Sequence, residues 1–179
     1  MKKVLLSFLF IFMILFLAGC SNKKVVEEKI KGNCKAVDCI TQIGVKDSLD
    51  EVNELIGFDG ELKKEEDDYK KYEWKVSNSS KVTIDFYNSG KNDIRIDIKK
   101  DTVKNEELDF SKLDEMKELI KTGKMSYDKF VELVGGEGTL IQKSFYTKQY
   151  LWYVSSSKYF IATFSETTGM CTLLTGYNE

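Results

Sequence analysis

Hydrophobic and polar positions divide this chain into one long apolar run and two amphipathic stretches. Val4 to Leu17 is apolar except for Ser7 and follows Lys2 and Lys3. Beyond it the apolar positions become periodic. Leu49, Val52, Leu55 and Ile56 recur at helical spacing, as do Tyr127, Phe130, Leu133 and Val134; that spacing predicts helices with one buried face. Ser48 and Ser126 stand as N-caps, and Gly57 and Gly135 as stops. Glu51 completes a capping box with Ser48, whereas Lys129 holds the matching place in the second helix. A shorter helix precedes each, over about Lys35 to Ile43 and over Lys112 to Thr122, the latter capped by Ser111.

After each helix pair the period changes to two. Tyr72, Trp74 and Val76 share a face, as do Val82, Ile84 and Phe86, and then Ile94, Ile96 and Ile98. Later strands are predicted over Thr139 to Phe145, Gln149 to Val154, Tyr159 to Ser165 and Met170 to Thr175. The stretches align without a gap at an offset of 78 residues: Ser48 with Ser126, Gly60 with Gly138, Trp74 with Trp152, Phe86 with Phe164. The expected organisation is a leader over 1–19, a tether over 20–33, one unit over 34–100, a connector over 101–111 and a second unit over 112–179. The fold class expected is α+β, with two helices and an antiparallel sheet occurring twice.

A basic start, an apolar run and small residues before a cut make a secretory signal peptide. Leu17-Ala18-Gly19-Cys20 resembles the lipobox of bacterial lipoproteins. That resemblance implies cleavage before Cys20 and a diacylglycerol with palmitate-type chains on its thiol. Two chains suffice for stable anchoring, at about 0.8 kcal/mol per buried CH₂. The run is short of the ~20 residues of a spanning helix. The expected location is therefore the extracytoplasmic face of the cell membrane.

The tandem units, each with a Ser-led helix ending in Gly and then a Tyr-x-Trp strand, resemble the β-lactamase-inhibitor-protein-like fold. Gly123-Lys124-Met125-Ser126-Tyr127 and Leu133-Val134-Gly135-Gly136-Glu137-Gly138 also resemble the single-repeat lipoprotein domains of that superfamily. The resemblance covers about residues 34 to 176. It implies a binding protein, since the superfamily includes enzyme inhibitors and outer-membrane assembly lipoproteins, and inhibitors of this kind grip their target with an open sheet face.

Composition narrows the chemistry. Histidine is absent, which removes the usual general base and the commonest zinc ligand. Proline is absent, and Arg95 is the sole arginine, which reads as genome base composition. The formal net charge is −2; without Lys2 and Lys3 it is near −4, the wrong sign for a nucleic-acid partner. With Cys20 assigned to lipid, Cys34 and Cys39 are the close pair and Cys171 the odd thiol. Cys34 at a helix entrance reaches Cys39 in an oxidising compartment. The other reading keeps Cys39 reduced in the core, on one helical face with Ala36, Ile40 and Ile43. No cofactor or metal is expected.

Ser155-Ser156-Ser157-Lys158 matches the S-x-x-K pattern, but it falls in a hairpin turn and lacks the partner triplets of that chemistry. Glu65-Glu66-Asp67-Asp68 reads as a solvated charge run, without the alternate spacing of a calcium loop. No catalytic role is expected of either. The contrast between the sheets' outer positions says more. Glu73, Lys75, Lys81, Thr83 and Asp85 in the first unit become Leu151, Tyr153, Tyr159, Ile161 and Thr163 in the second. An apolar outer face is either an interface or is covered by the first unit or the connector. The interface reading makes Leu151, Tyr153, Tyr159 and Ile161 the contact residues for another exported protein. An inhibitor of a secreted or cell-wall enzyme and an envelope scaffold subunit are the alternatives.

Overall fold

A computed structural model describes residues 36–103 and 107–178. Cys20, Cys34, the leader and the tether lie outside the described residues. Helix α1 (Ala36–Gln42) buries Cys39 and Ile40, with Ile43 just beyond it. Helix α2 (Leu49–Ile56) starts at Ser48, whose hydroxyl accepts from the Glu51 amide while the Glu51 carboxylate accepts from the Ser48 amide at 2.7 Å. This capping box satisfies two end donors and lowers the Glu51 pKa. Strands β1 (Glu61–Glu65), β2 (Tyr69–Ser77), β3 (Ser80–Tyr87) and β4 (Asp93–Ile98) follow, and then a 3₁₀ helix (Lys100–Val103).

Helix α3 (Leu113–Lys121) begins one residue later than expected. Its N-cap is Lys112, whose ammonium has no acceptor to offer the helix amides, and Ser111 lies one residue earlier, its amide donating to Asp109 Oδ1 at 2.8 Å. Helix α4 (Tyr127–Val134) is capped by Ser126, with no capping box. Strands β5 (Thr139–Lys143), β6 (Thr147–Ser155), β7 (Lys158–Ser165) and β8 (Cys171–Asn178) complete the chain.

The expected fold class of two tandem helix-helix-sheet units is corrected by the strand pairing. All eight strands form one antiparallel sheet in the order β1 to β8, with β4 joined to β5 through Ile94–Lys143 and Arg95–Gln142. Two separate sheets would leave β4 and β5 as unpaired edges, whose free amides and carbonyls are costly to bury and prone to mispairing. Helix α1 spans the seam: it packs on β3, β4 and β5, and Lys143 donates from Nζ to the Ile43 carbonyl at 3.0 Å.

The helices cover one face of this sheet. Ile40, Val52 and Ile56 pack on Trp74, Val82, Ile84 and Ile94 in one cluster. Met116, Phe130 and Val134 pack on Trp152, Phe160, Ala162 and Phe164 in another, and Tyr150 touches both. Several positions 78 residues apart sit alike within the continuous sheet. The Trp74 indole donates to the Phe58 carbonyl at 3.2 Å, and the Trp152 indole to the Gly136 carbonyl at 2.8 Å. Gly60 and Gly138 lie against these rings so closely that a Cβ would come within 2.5 Å and 2.7 Å of them.

Candidate binding face

Period-two alternation makes the other face polar over β1 to β5. With Trp74, Val82, Ile84, Ile94 and Ile96 committed to the core, Glu73, Lys81, Thr83, Asp85, Asp93, Arg95 and Asp97 must point away from the helices. Strand register sets them in rows: Glu73 beside Thr83, Thr83 beside Arg95, and Arg95 beside Gln142. Together they line an open concavity of about 260 Å³.

The charges are interleaved. Lys81 Nζ lies 2.7 Å from Glu73 and 3.5 Å from Asp97, and the Glu73 hydrogen bond raises the Lys81 pKa. Lys63 pairs with Glu61 at 2.7 Å. Such exposed pairs contribute only about 0–1 kcal/mol each; their consequence here is the potential they present. Asp85 and Asp93 stand directly opposite each other on β3 and β4. Asp85 Oδ1 is buried, with Lys71 Nζ 3.3 Å away, close enough for attraction but not aligned as a hydrogen bond. Burial, and then the Asp85 charge, raise the Asp93 pKa against the pull of Arg95.

A raised carboxyl pKa means that the native state holds a proton which the unfolded chain has lost. This contribution to stability is complete below the ordinary Asp range and disappears as pH rises through the raised native value. Asp93→Asn is therefore expected to raise the melting temperature at neutral pH and to leave it unchanged in acid. Thermal melts across that range test the sign; a loss of stability at neutral pH would show that attraction to Arg95 wins.

The apolar outer positions of β6 and β7 divide differently from expectation. Leu151 and Tyr153 are buried, at 4% and 7% exposure, with the 3₁₀ helix of the connector lying against β6. They are corrected from an open contact surface to interior positions. Tyr159 and Ile161 stay half-buried, with the Tyr159 ring 6.4 Å from that of Tyr153. Leu173 on β8, at 53% exposure, lies on the same face.

The other candidates fall in turns and core. Ser155 and Lys158 close the β6–β7 hairpin, and Lys158 Nζ sits 5.1 Å from the centre of the Phe110 ring. In the acidic run Glu65 meets Lys70 and Glu66 meets Lys64, each at 2.8 Å. Cys39 is disulfide-bonded, and its partner lies outside the described residues. Cys171 is a free, buried thiol whose pKa burial pushes up to about 11. Among the described residues no group of three His, Cys, Asp or Glu is placed to hold a metal, and no helix is long and apolar enough to cross a membrane.

Sequence reading missed Arg95 and Gln142 as parts of one surface. Arg95 alternates with Ile94 and Ile96, a signal that was present; its meeting with Gln142 depends on the β4–β5 pairing. No protein-family model matches the chain, and no curated protein or solved structure matches it either.

Proposed function

We propose that this chain is an exported lipoprotein, anchored through Cys20 at the extracytoplasmic face of the membrane, that binds another exported protein without catalysis. One observation carries the reading: helices cover one face of the sheet and leave the opposite face as a charged concavity containing exposed Arg95. A planar guanidinium with five donors suits a carboxylate-bearing partner surface, and arginine is enriched among the residues that dominate binding energy. The surrounding Lys and carboxylate lattice favours complementary charge and speeds encounter more than it adds affinity. The half-buried Tyr159 and Ile161 extend the contact toward β8. The disulfide at Cys39 suits the oxidising compartment that export implies.

Crosslinking in native membranes followed by pull-down tests this reading. Arg95→Glu is expected to weaken capture of the crosslinked partner by about tenfold or more, in the range of an interface anchor. Arg95→Glu also sets a further carboxylate near Asp85 and Asp93, so Arg95→Gln, which removes the guanidinium without adding charge, is the companion variant: it is expected to weaken capture while remaining folded by thermal melt. Capture that is unchanged by Arg95→Glu would remove the concavity from the interface. In the same experiment Cys20→Ala is expected to release the chain from the membrane fraction. Unaltered fractionation with an unmodified Cys20 would refute the anchor. If the captured protein is an enzyme and loses activity on binding, the inhibitor reading is the correct form of the proposal.

A further inference from the structure

Among the described residues the sheet is open, with β1 and β8 as its edges. An edge strand presents unpaired amides and carbonyls to any extended chain, and proteins commonly blunt such edges with charge, short length or a bulge. Strand β1 has all three: five residues, four of them Glu61, Lys63, Lys64 and Glu65, with a register shift between Leu62 and Lys64. Strand β8 is built otherwise. Its eight residues, Cys-Thr-Leu-Leu-Thr-Gly-Tyr-Asn, include no charge. Its irregularity falls at Thr172, near its start, and Leu173 to Asn178 pair in regular register with β7. Helix α3 packs against β8, with Leu174 against the helical core, and at the start of the strand the Met125 carbonyl accepts the Cys171 amide at 2.7 Å. The edge open to pairing therefore begins at Thr172, and Thr172, Leu173, Thr175 and Gly176 stay exposed.

We propose that β8 pairs antiparallel with β8 of a second copy of this chain, joining two sheets across a twofold axis. Twofold pairing sets a strand against itself, which is destabilising when it places like charges opposite each other; β8 has none to oppose. Head-to-tail pairing of β8 with β1 would instead desolvate the four charges of β1 and propagate as an open fibre. The outer face supplies a second argument. Leu173 pairs with Thr163, and Thr175 with Ile161, so the strip of Tyr159, Ile161 and Leu173 runs up to this edge. Centring the twofold on Leu174 brings Leu173 and Thr175 opposite each other and makes the two strips continuous.

The full chain in density-matched detergent, with micelles in excess, is expected to sediment as a concentration-dependent dimer. Amides of β8 are expected to gain exchange protection as the dimer forms, which separates edge pairing from contact between sheet faces. Thr175→Lys is expected to weaken self-association by about tenfold or more, since an edge lysine blocks strand addition. Thr172→Lys serves as the second variant if the first melts early. A chain that stays monomeric at the highest attainable concentration overturns the proposal. So does a dimer whose β8 amides remain unprotected, or one that both lysine variants leave intact. Protection of β8 only on addition of a synthetic extended peptide would assign the edge to a different occupant and overturn it as well.

Discussion

Trp152→Ala is expected to destabilise the fold by about 3–5 kcal/mol, and Trp74→Ala by a similar amount. Both rings are fully buried. Trp152 lies at the centre of an aromatic cluster, with Phe130 at 4.3 Å between ring centres and Tyr127, Tyr150 and Phe164 within 6.5 Å. Removing it opens a cavity that these rigid rings fill poorly, and it leaves the Gly136 carbonyl without its indole donor. Trp74 packs on Tyr72 and Phe86, and its indole also donates to Asn53 Oδ1 at 3.0 Å. Asn53 keeps the Gly60 amide as a second donor, while the Phe58 carbonyl loses its indole donor as the Gly136 carbonyl does. Against a typical total of about 5–15 kcal/mol, either loss brings the chain close to unfolding. Urea titrations with unchanged slope measure it. A loss below about 1 kcal/mol for either variant would mean that the ring is not the centre of its cluster.

Gly176→Ala is expected to cost at least about 1–3 kcal/mol, the usual range for overpacking. A Cβ at Gly176 would fall 2.1 Å from the Tyr159 carbonyl oxygen and 2.9 Å from the Phe160 Cα, and its φ of 146° is one that side chains rarely adopt. The obstruction is backbone, which cannot rotate aside as a side chain can. Relief therefore requires β8 to draw away from β7 where Gly176 pairs with Phe160. Cys171, on the same strand, should then label faster with a thiol reagent, read by site-resolved mass spectrometry. Gly169→Ala is the control. A Cβ there would meet no atom within 4 Å, so the cost is that of the left-handed backbone alone, roughly 1–2 kcal/mol. Equal losses at the two glycines would show that strand contact is not what requires Gly176.

Local chemistry was legible in the sequence because it acts between neighbours along the chain. The capping box of Ser48 and Glu51, its absence at Ser126, and the alternation that buries Trp74, Val82, Ile84 and Ile94 all follow from residues a few positions apart. The helix over Leu113–Lys121 was legible too, but its cap was not: the N-cap is Lys112, and Ser111 instead gives its amide to Asp109. The misread positions depend on partners far away in the chain. Leu151 and Tyr153 are apolar whether they meet a partner protein or the connector, and sequence pattern records only that something must cover them.

The sequence by itself determined which residues face the helices and which face outward, through the two periods. The proposal of export and anchoring likewise rests on sequence, on the resemblance of Leu17-Ala18-Gly19-Cys20 to a lipobox. Tertiary structure alone decided that the strands form one sheet, because the Ile94–Lys143 and Arg95–Gln142 pairs close a gap of more than forty residues. That single pairing brings Gln142 to Arg95, seats α1 across the seam and, among the described residues, leaves β1 and β8 as the edges. Pairing between distant strands is chosen by the cost of leaving edges bare and by the shape of the packed core. Neither is encoded at any one position of the chain.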